Sequence, residues 1–170
     1  MCRLSLLAAL AVGSAVTGAQ AQDTAAFLGS FTGNWRGAGE ARLDLKGDPT
    51  RVSCKVSATF EAGKVMLTNT GRCGTTKGTK NVRAFIRERN GNLVGDFLGA
   101  FKPEEIMRQN IQINGGQLVA ETTIEDKGKM VKVRTLLTGP ENDSFGVRTE
   151  VFNRDAGRWE SAAELRFQRQ

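Results

Sequence analysis

Alternation between apolar and polar residues at every second position is the dominant pattern of this 170-residue chain. Residues 51–60 illustrate the pattern, and the same rhythm recurs in residues 144–152 and 158–168. The apolar members of the first of these segments are Val52, Cys54, Val56, Ala58 and Phe60. A period of two is typical of a β-strand that buries one face and exposes the other. We therefore expect an all-β fold.

Turn-forming residues divide the alternation into about ten short strands. Gly47-Asp48-Pro49 and Gly115-Gly116 are typical of turns, and Asn90-Gly91 is a strong hairpin signal because both residues adopt positive φ in a type I′ turn. Sequential hairpins predict a single antiparallel up-and-down barrel of about 8–10 strands, since closure removes exposed strand edges. The outward set is charged throughout, which excludes a lipid-facing barrel.

Three segments give more specific expectations. Lys102–Gln109 interrupts the alternation and predicts a short helical turn or loop. Asp23–Phe31, ahead of the first strand, predicts a helical lid or plug. In the last strand Trp159 has the same parity as Ala163 and Phe167, so the pattern places all three on one face.

The first 21 residues have the composition of a secretory signal. Arg3 precedes the apolar run Leu4–Val16, and Ala19-Gln20-Ala21 is a small-residue cleavage site. We assign residues 1–21 to a cleaved signal peptide and residues 22–170 to a single β-barrel domain. The apolar run is shorter than a bilayer span of roughly 20 residues. We expect a bacterial protein that is periplasmic or secreted and not transmembrane.

Cleavage would remove the first cysteine and leave Cys54 and Cys73, an even pair in an oxidising compartment. We expect a disulfide between them. If the intervening hairpin pairs Phe60 with Val65, Cys54 lies opposite Gly71. Cys73 is then displaced by two residues, and the bond needs a bulge or a wider loop. Two free redox-active thiols are the alternative, although the pair lacks the Cys-x-x-Cys spacing.

The composition argues against an enzyme, because the chain contains neither histidine nor tyrosine. Histidine is the commonest general base and the commonest transition-metal ligand, and Ser–His or Cys–His nucleophiles require it. The acidic residues fall at solvated turns such as Glu104-Glu105 and Glu125-Asp126, so no pair of them is a catalytic candidate. We therefore expect no catalytic residue, no metal site and no cofactor.

Positive charge is concentrated in residues 51–89, which carry nine Lys or Arg residues against two Glu residues. The simplest interpretation is a solvated outer face. The functional interpretation is contact with an anionic envelope surface or an acidic protein partner. The candidates for that contact are Lys77, Lys80, Arg83, Arg87 and Arg89. Nucleic acid is not expected, because aromatic residues are not interleaved with these charges.

The start of the first strand resembles that of the calycins, which include the lipocalins and the fatty-acid-binding-like barrels. The resemblance lies in the Gly-x-Trp motif of Gly33 and Trp35. In lipocalins this Trp closes one barrel end and an Arg near the last strand lies across it. The resemblance therefore implies that Arg169 makes a cation–π contact with Trp35.

A calycin-like barrel implies an interior that holds one small apolar or amphipathic ligand. Small residues on the inward faces, such as Gly37, Gly39 and Gly95, indicate space, although the same set would also fill a solid core. The candidate cavity residues are Leu43, Val56, Phe60, Phe97, Val133, Phe145 and Leu165.

The chain also resembles the bacterial metalloprotease-inhibitor barrels, in which a Gly-x-Trp motif is followed by a disulfide between early strands. This second resemblance implies that Gln22–Ala26 would enter a protease cleft. Two function classes follow. The first is an exported non-enzymatic binding protein for a small ligand. The alternative is a secreted inhibitor or interaction module that acts through its N-terminus, loops or basic face.

Overall fold

The computed structural model describes the backbone of residues 17–42, 47–98, 107–126 and 128–170, and the side chains of residues 24–42, 47–97, 108–126 and 128–170. One α-helix precedes ten β-strands. The helix α1 spans Thr17–Ser30, and the strands are β1 Gly33–Arg42, β2 Pro49–Glu61, β3 Met66–Thr75, β4 Gly78–Arg89, β5 Asn92–Leu98, β6 Met107–Asn114, β7 Gln117–Asp126, β8 Lys129–Thr138, β9 Ser144–Asn153 and β10 Arg158–Arg169. Residues 1–16 of the expected signal peptide lie outside the described residues.

The ten strands form one closed antiparallel barrel in which each strand pairs with its neighbours in sequence and β10 pairs with β1. The expected all-β up-and-down barrel is confirmed. At the seam, Trp35 pairs with Arg169 and Ala41 with Ala163, so the first and last strands are joined along most of their length. Closure gives each of the ten described strands a partner on both sides.

The β2–β3 hairpin places the two cysteines directly opposite each other, which corrects the expected register. Phe60 pairs with Leu67, not Val65, because four residues including a short 3₁₀ turn (Ala62–Lys64) connect the strands. Val65 adopts a positive φ of 45° at the end of this turn. The Cys54 and Cys73 Cα atoms are 4.1 Å apart and the side chains form a disulfide. No bulge is needed.

A bulge in β10 corrects the expected position of Trp159. The pairing with β9 shifts between Ser161 and Ala163, and the bulge buries Ala162 and Ala163 together. A bulge inserts one extra residue and therefore reverses the alternation beyond it. Trp159 consequently stacks edge-on against Phe152, and the Arg134 guanidinium lies 4.3 Å from the Trp159 ring centroid on the outer face.

The helix α1 covers one end of the barrel, which we call the helix end. Leu28 of α1 is fully buried, and the Gly29 backbone lies against the Phe60 ring at the end of β2. Backbone N–H groups of Phe31 and Thr32 close the last helical turn, and Gly33 then enters β1 with a φ of 135° that favours glycine. The expected helical plug therefore covers this end. The predicted cleavage point after Ala21 lies within α1.

The segment expected to be a turn or loop is partly a strand. Residues 107–109 belong to β6, and residues 99–106 lie outside the described residues. Within β6 the buried residues Gln109 and Ile111 alternate with exposed neighbours, so the alternation begins two residues earlier than the apolar pattern suggests. The apolar pattern does not identify Gln109 as an inward residue, because the pattern assigns polar residues to the outer face.

Candidate functional site

The barrel encloses a cavity of about 570 Å³, bordered by residues of all ten strands. This volume falls within the roughly 300–1,000 Å³ range of small-molecule sites. Its wall is mostly apolar and includes Val52, Val82, Ile124, Leu137 and Val147. Among the described residues, no Asp or Glu borders it. The cavity therefore suits an apolar or amphipathic molecule without positive charge.

Five of the seven cavity residues expected from the sequence border this space: Val56, Phe97, Val133, Phe145 and Leu165. Phe60 does not border it, because its ring packs against Gly29 of α1. Leu43 lies outside the described residues. The strand alternation thus gives the inward face, but it does not show which inward residues the helix covers.

The small residues contribute less open space than the sequence suggests. A Cβ atom at Gly37 would overlap the Phe167 ring, and one at Gly39 would overlap the backbone of β10. A Cβ at Gly95 would lie 2.5 Å from the Phe97 ring. These glycines accommodate close packing, whereas Ala41 and Ala163 border the cavity.

An aromatic cluster closes the cavity at the helix end. Trp35 is 2% exposed and its Nε1 donates a 2.7 Å hydrogen bond to the Phe31 carbonyl. Phe145 packs edge-on against Trp35 and stacks on Phe167, each at a centroid distance of 4.7 Å. Edge-to-face and offset stacked arrangements are favourable for aromatic rings. The cluster gives the cavity an apolar base.

Arg169 fixes this cluster to α1. Its Cζ lies 4.2 Å from the Trp35 ring centroid, and its Nε donates a 2.7 Å hydrogen bond to Asp143 Oδ1. Its two terminal nitrogens donate to the Thr32 and Ser30 carbonyls. The arrangement is the one that the Gly-x-Trp motif implies, and Gly33 lies beneath the guanidinium, where a side chain would overlap it.

Positively charged residues border the opposite end of the cavity. We call Arg42, Lys77 and Lys80 the basic rim. Arg42 ends β1, Lys77 lies in the turn after β3, and Lys80 lies at the start of β4, and all three border the cavity. Lys80 pairs with Cys73, whose side chain faces inward, so Lys80 belongs to the inward face of β4. The rim is suited to an anionic group.

The other basic candidates occupy different places. The Arg83 guanidinium lies 4.7 Å from the Phe85 ring centroid, and Arg87 Nη2 forms a 3.1 Å salt bridge with Asp96. These side chains have the outward parity of β4, opposite to Lys80. Arg89 ends β4 at the helix end. The structure therefore separates the five sequence candidates: Lys77, Lys80 and Arg83 border the cavity, whereas Arg87 and Arg89 do not.

The cavity wall also contains a few polar side chains. Thr135 and Thr149 pair across β8 and β9 with their hydroxyl oxygens 3.3 Å apart. Thr122 Oγ1 donates to the Arg108 carbonyl at 2.9 Å. Gln109 is 4% exposed, and its Oε1 atom accepts no hydrogen bond from the described part of the chain.

Comparison with known proteins gives the fold and no activity. No family model matches the chain, and no curated protein matches it. Among solved structures it is similar to the crystal structure of Rv2717c from M. tuberculosis, with a TM-score of 0.55 and 13% sequence identity over 86% of this chain and 97% of that chain. The similarity supports the barrel fold but not a calycin in particular.

The described residues contain no group of three or more Cys, Asp or Glu side chains placed to hold a metal ion. No helix among them is long and apolar enough to cross a bilayer.

Proposed function

We propose that this protein is an exported, non-enzymatic binding protein for a small amphipathic anion. The apolar body of the ligand lies in the barrel cavity, and its anionic group lies at the basic rim. The observation that carries the proposal is the combination of one apolar cavity of about 570 Å³ with Arg42, Lys77 and Lys80 at one end of it. Burial of apolar ligand surface supplies the affinity, and the rim supplies the orientation.

Export is supported by two features. Met1–Ala21 has the composition of a secretory signal, and the Cys54–Cys73 disulfide is compatible with an oxidising compartment. Fractionation of the bacterial host, with N-terminal sequencing of the recovered protein, tests this part. A mature chain beginning at Gln22 in the periplasm or medium is the expected result, and an intact cytoplasmic chain would contradict it.

Ligand binding is tested by calorimetric titration with dodecanoate and with dodecyltrimethylammonium, which have similar apolar chains and opposite charge. We expect dodecanoate to bind more tightly, and more weakly as salt concentration rises. Reversing the rim charge in Lys80→Glu should weaken dodecanoate binding about tenfold. Lys55→Glu is the matched control, because Lys55 is exposed on the outer face of β2. The proposal would be contradicted if the protein bound both detergents equally tightly, or if it bound neither of them.

The alternative of an inhibitor that acts through its N-terminus receives less support. Gln22–Ala26 lies within the helix α1, whereas a segment that enters a protease cleft is extended. Insertion would therefore require this part of α1 to unwind. The outer basic side chains remain available for an anionic envelope surface, although Arg87 is already paired with Asp96.

A further inference from the structure

One buried polar atom of the cavity wall has no partner in the described part of the chain. Gln109, on β6, is 96% buried and borders the cavity, and its Oε1 atom accepts no hydrogen bond. A buried acceptor that has lost water without gaining a donor destabilises the folded state. Native structures satisfy almost all such groups, so an exception requires a reason.

The neighbouring wall residues do not supply the missing donor. Thr122 Oγ1 donates its hydrogen to the Arg108 carbonyl, and Thr135 and Thr149, which share one hydrogen bond, do not donate to Gln109. Gly95 pairs with Gln109 on the adjacent strand and carries no side chain, and the space above it holds Phe97 and Ile111. The described part of the chain therefore leaves Gln109 Oε1 without a donor, and the side chain borders the cavity, from which a bound molecule can supply one.

We propose that Gln109 Oε1 accepts a hydrogen bond from a hydroxyl or N–H group on the ligand, an inference that rests on the proposed function. The ligand class becomes an amphipathic anion whose apolar body carries a hydroxyl or amide N–H group. A site built to bond such a group discriminates against analogues that lack it, because its own polar atom is then left unpaired.

The rim and Gln109 contact different parts of such a ligand. Gln109 pairs with Gly95, which pairs in turn with Ile86 of β4. Ile86 lies six residues along β4 from Lys80, which corresponds to roughly 20 Å of strand. The two contacts therefore select for both a charged end and a polar group further along the chain.

The test measures the dissociation constants of dodecanoate and of a set of hydroxydodecanoates with the hydroxyl at successive positions along the chain. A matching set of ketododecanoates serves as the control for polarity without a donor. We expect one hydroxyl position to bind about tenfold more tightly than plain dodecanoate, and the ketone at that position to bind more weakly than the hydroxyl.

Gln109→Met removes the acceptor and keeps a similar shape. It should abolish the preference for the hydroxylated ligand over plain dodecanoate. Gln112→Met is the matched control, since Gln112 is exposed on the same strand and does not border the cavity, and it should retain the preference. Circular dichroism and the unfolding midpoint of each variant establish that it is folded.

The outcomes separate the two proposals. If the parent protein binds plain and hydroxylated dodecanoates equally, or prefers the ketones, the role of Gln109 is overturned and the proposed function stands. A preference that survives in Gln109→Met also overturns it. If the parent protein binds no member of the set, the proposed function fails and the inference fails with it.

Discussion

At the scale of single residues, Gly37 determines how closely the β1–β10 seam packs. The Phe167 ring occupies the space in which a Cβ atom at Gly37 would lie, and Phe167 itself stacks on Phe145. Protein interiors are close-packed, so an added methyl group must displace its neighbour. The glycine is therefore part of the aromatic cluster that closes the helix end.

Gly37→Ala should accordingly destabilise the protein by about 1–3 kcal/mol, because the added methyl group overpacks the cluster. Urea unfolding measures the change. Gly63→Ala is the control, since a Cβ at Gly63 would meet no atom within 4 Å, and it should be close to neutral. Phe167→Leu should relieve part of the loss in the double variant, and simple additivity of the two changes would contradict this account.

Arg169 is the residue through which the last strand contacts α1, the β8–β9 loop and Trp35. Its side chain is 33% exposed, so its contacts are partly shielded from solvent. Arg169→Met keeps the apolar stem and removes the charge and the donors. We expect a loss of about 1–3 kcal/mol in unfolding free energy. Arg166→Met, on an exposed position of the same strand, should be neutral, and equal losses in the two variants would contradict the role of Arg169.

At the scale of strands, the alternation gave the inward and outward faces correctly where hairpins are regular. It failed where one residue was inserted. The β10 bulge was missed because Ala162 and Ala163 are small and adjacent, and nothing in their composition distinguishes a bulge from regular pairing. The β2–β3 register was missed because the length of the turn after Glu61 cannot be fixed from Ala62-Gly63-Lys64 alone.

The corrected register gives the disulfide a definite place, inside the barrel wall between two adjacent strands. The bond closes a loop with a sequence separation of 19, and a loop of this size should stabilise the fold by roughly 3 kcal/mol in the chain-entropy model. Reduction should therefore lower stability and increase hydrogen exchange more in β2–β4 than in β7–β8. Mass spectrometry of peptides from both regions measures this, and unchanged exchange in residues 51–89 would contradict it.

At the scale of the whole molecule, closure of the barrel makes the cavity a property of all ten strands rather than of one hairpin. The up-and-down order of the strands, for which closure was favoured but not established, followed from sequential hairpins visible in the sequence. The size of the cavity did not, because it depends on which rings fill the inward side. Phe167 fills the space above Gly37, whereas Ala163 borders open volume on the same strand. The alternation of apolar and polar residues shows which side chains face inward, but it does not show how they pack against one another.

Because every strand borders the cavity, hydrogen exchange can distinguish a ligand bound inside the barrel from one bound on the outer basic face. A ligand that binds only the folded state stabilises it by about 2.7 kcal/mol at a concentration one hundred times its dissociation constant. Every strand contributes to the wall of the cavity in which dodecanoate would lie. We therefore expect it to slow hydrogen exchange in strands on both sides of the barrel, including β8 and β9.

An anion held on the outer face of β4, near Arg83 and Arg87, should instead slow exchange in β3, β4 and β5, because those strands pair there. Hydrogen exchange with and without saturating dodecanoate distinguishes the two patterns. Lys80→Glu sharpens the comparison, since it reverses charge on the inward face of β4, whereas Arg87→Glu reverses charge on the outward face, away from the cavity. Weakening by Lys80→Glu together with protection of all strands supports the cavity. Protection confined to β3–β5 and weakening by Arg87→Glu alone would assign binding to the outer face.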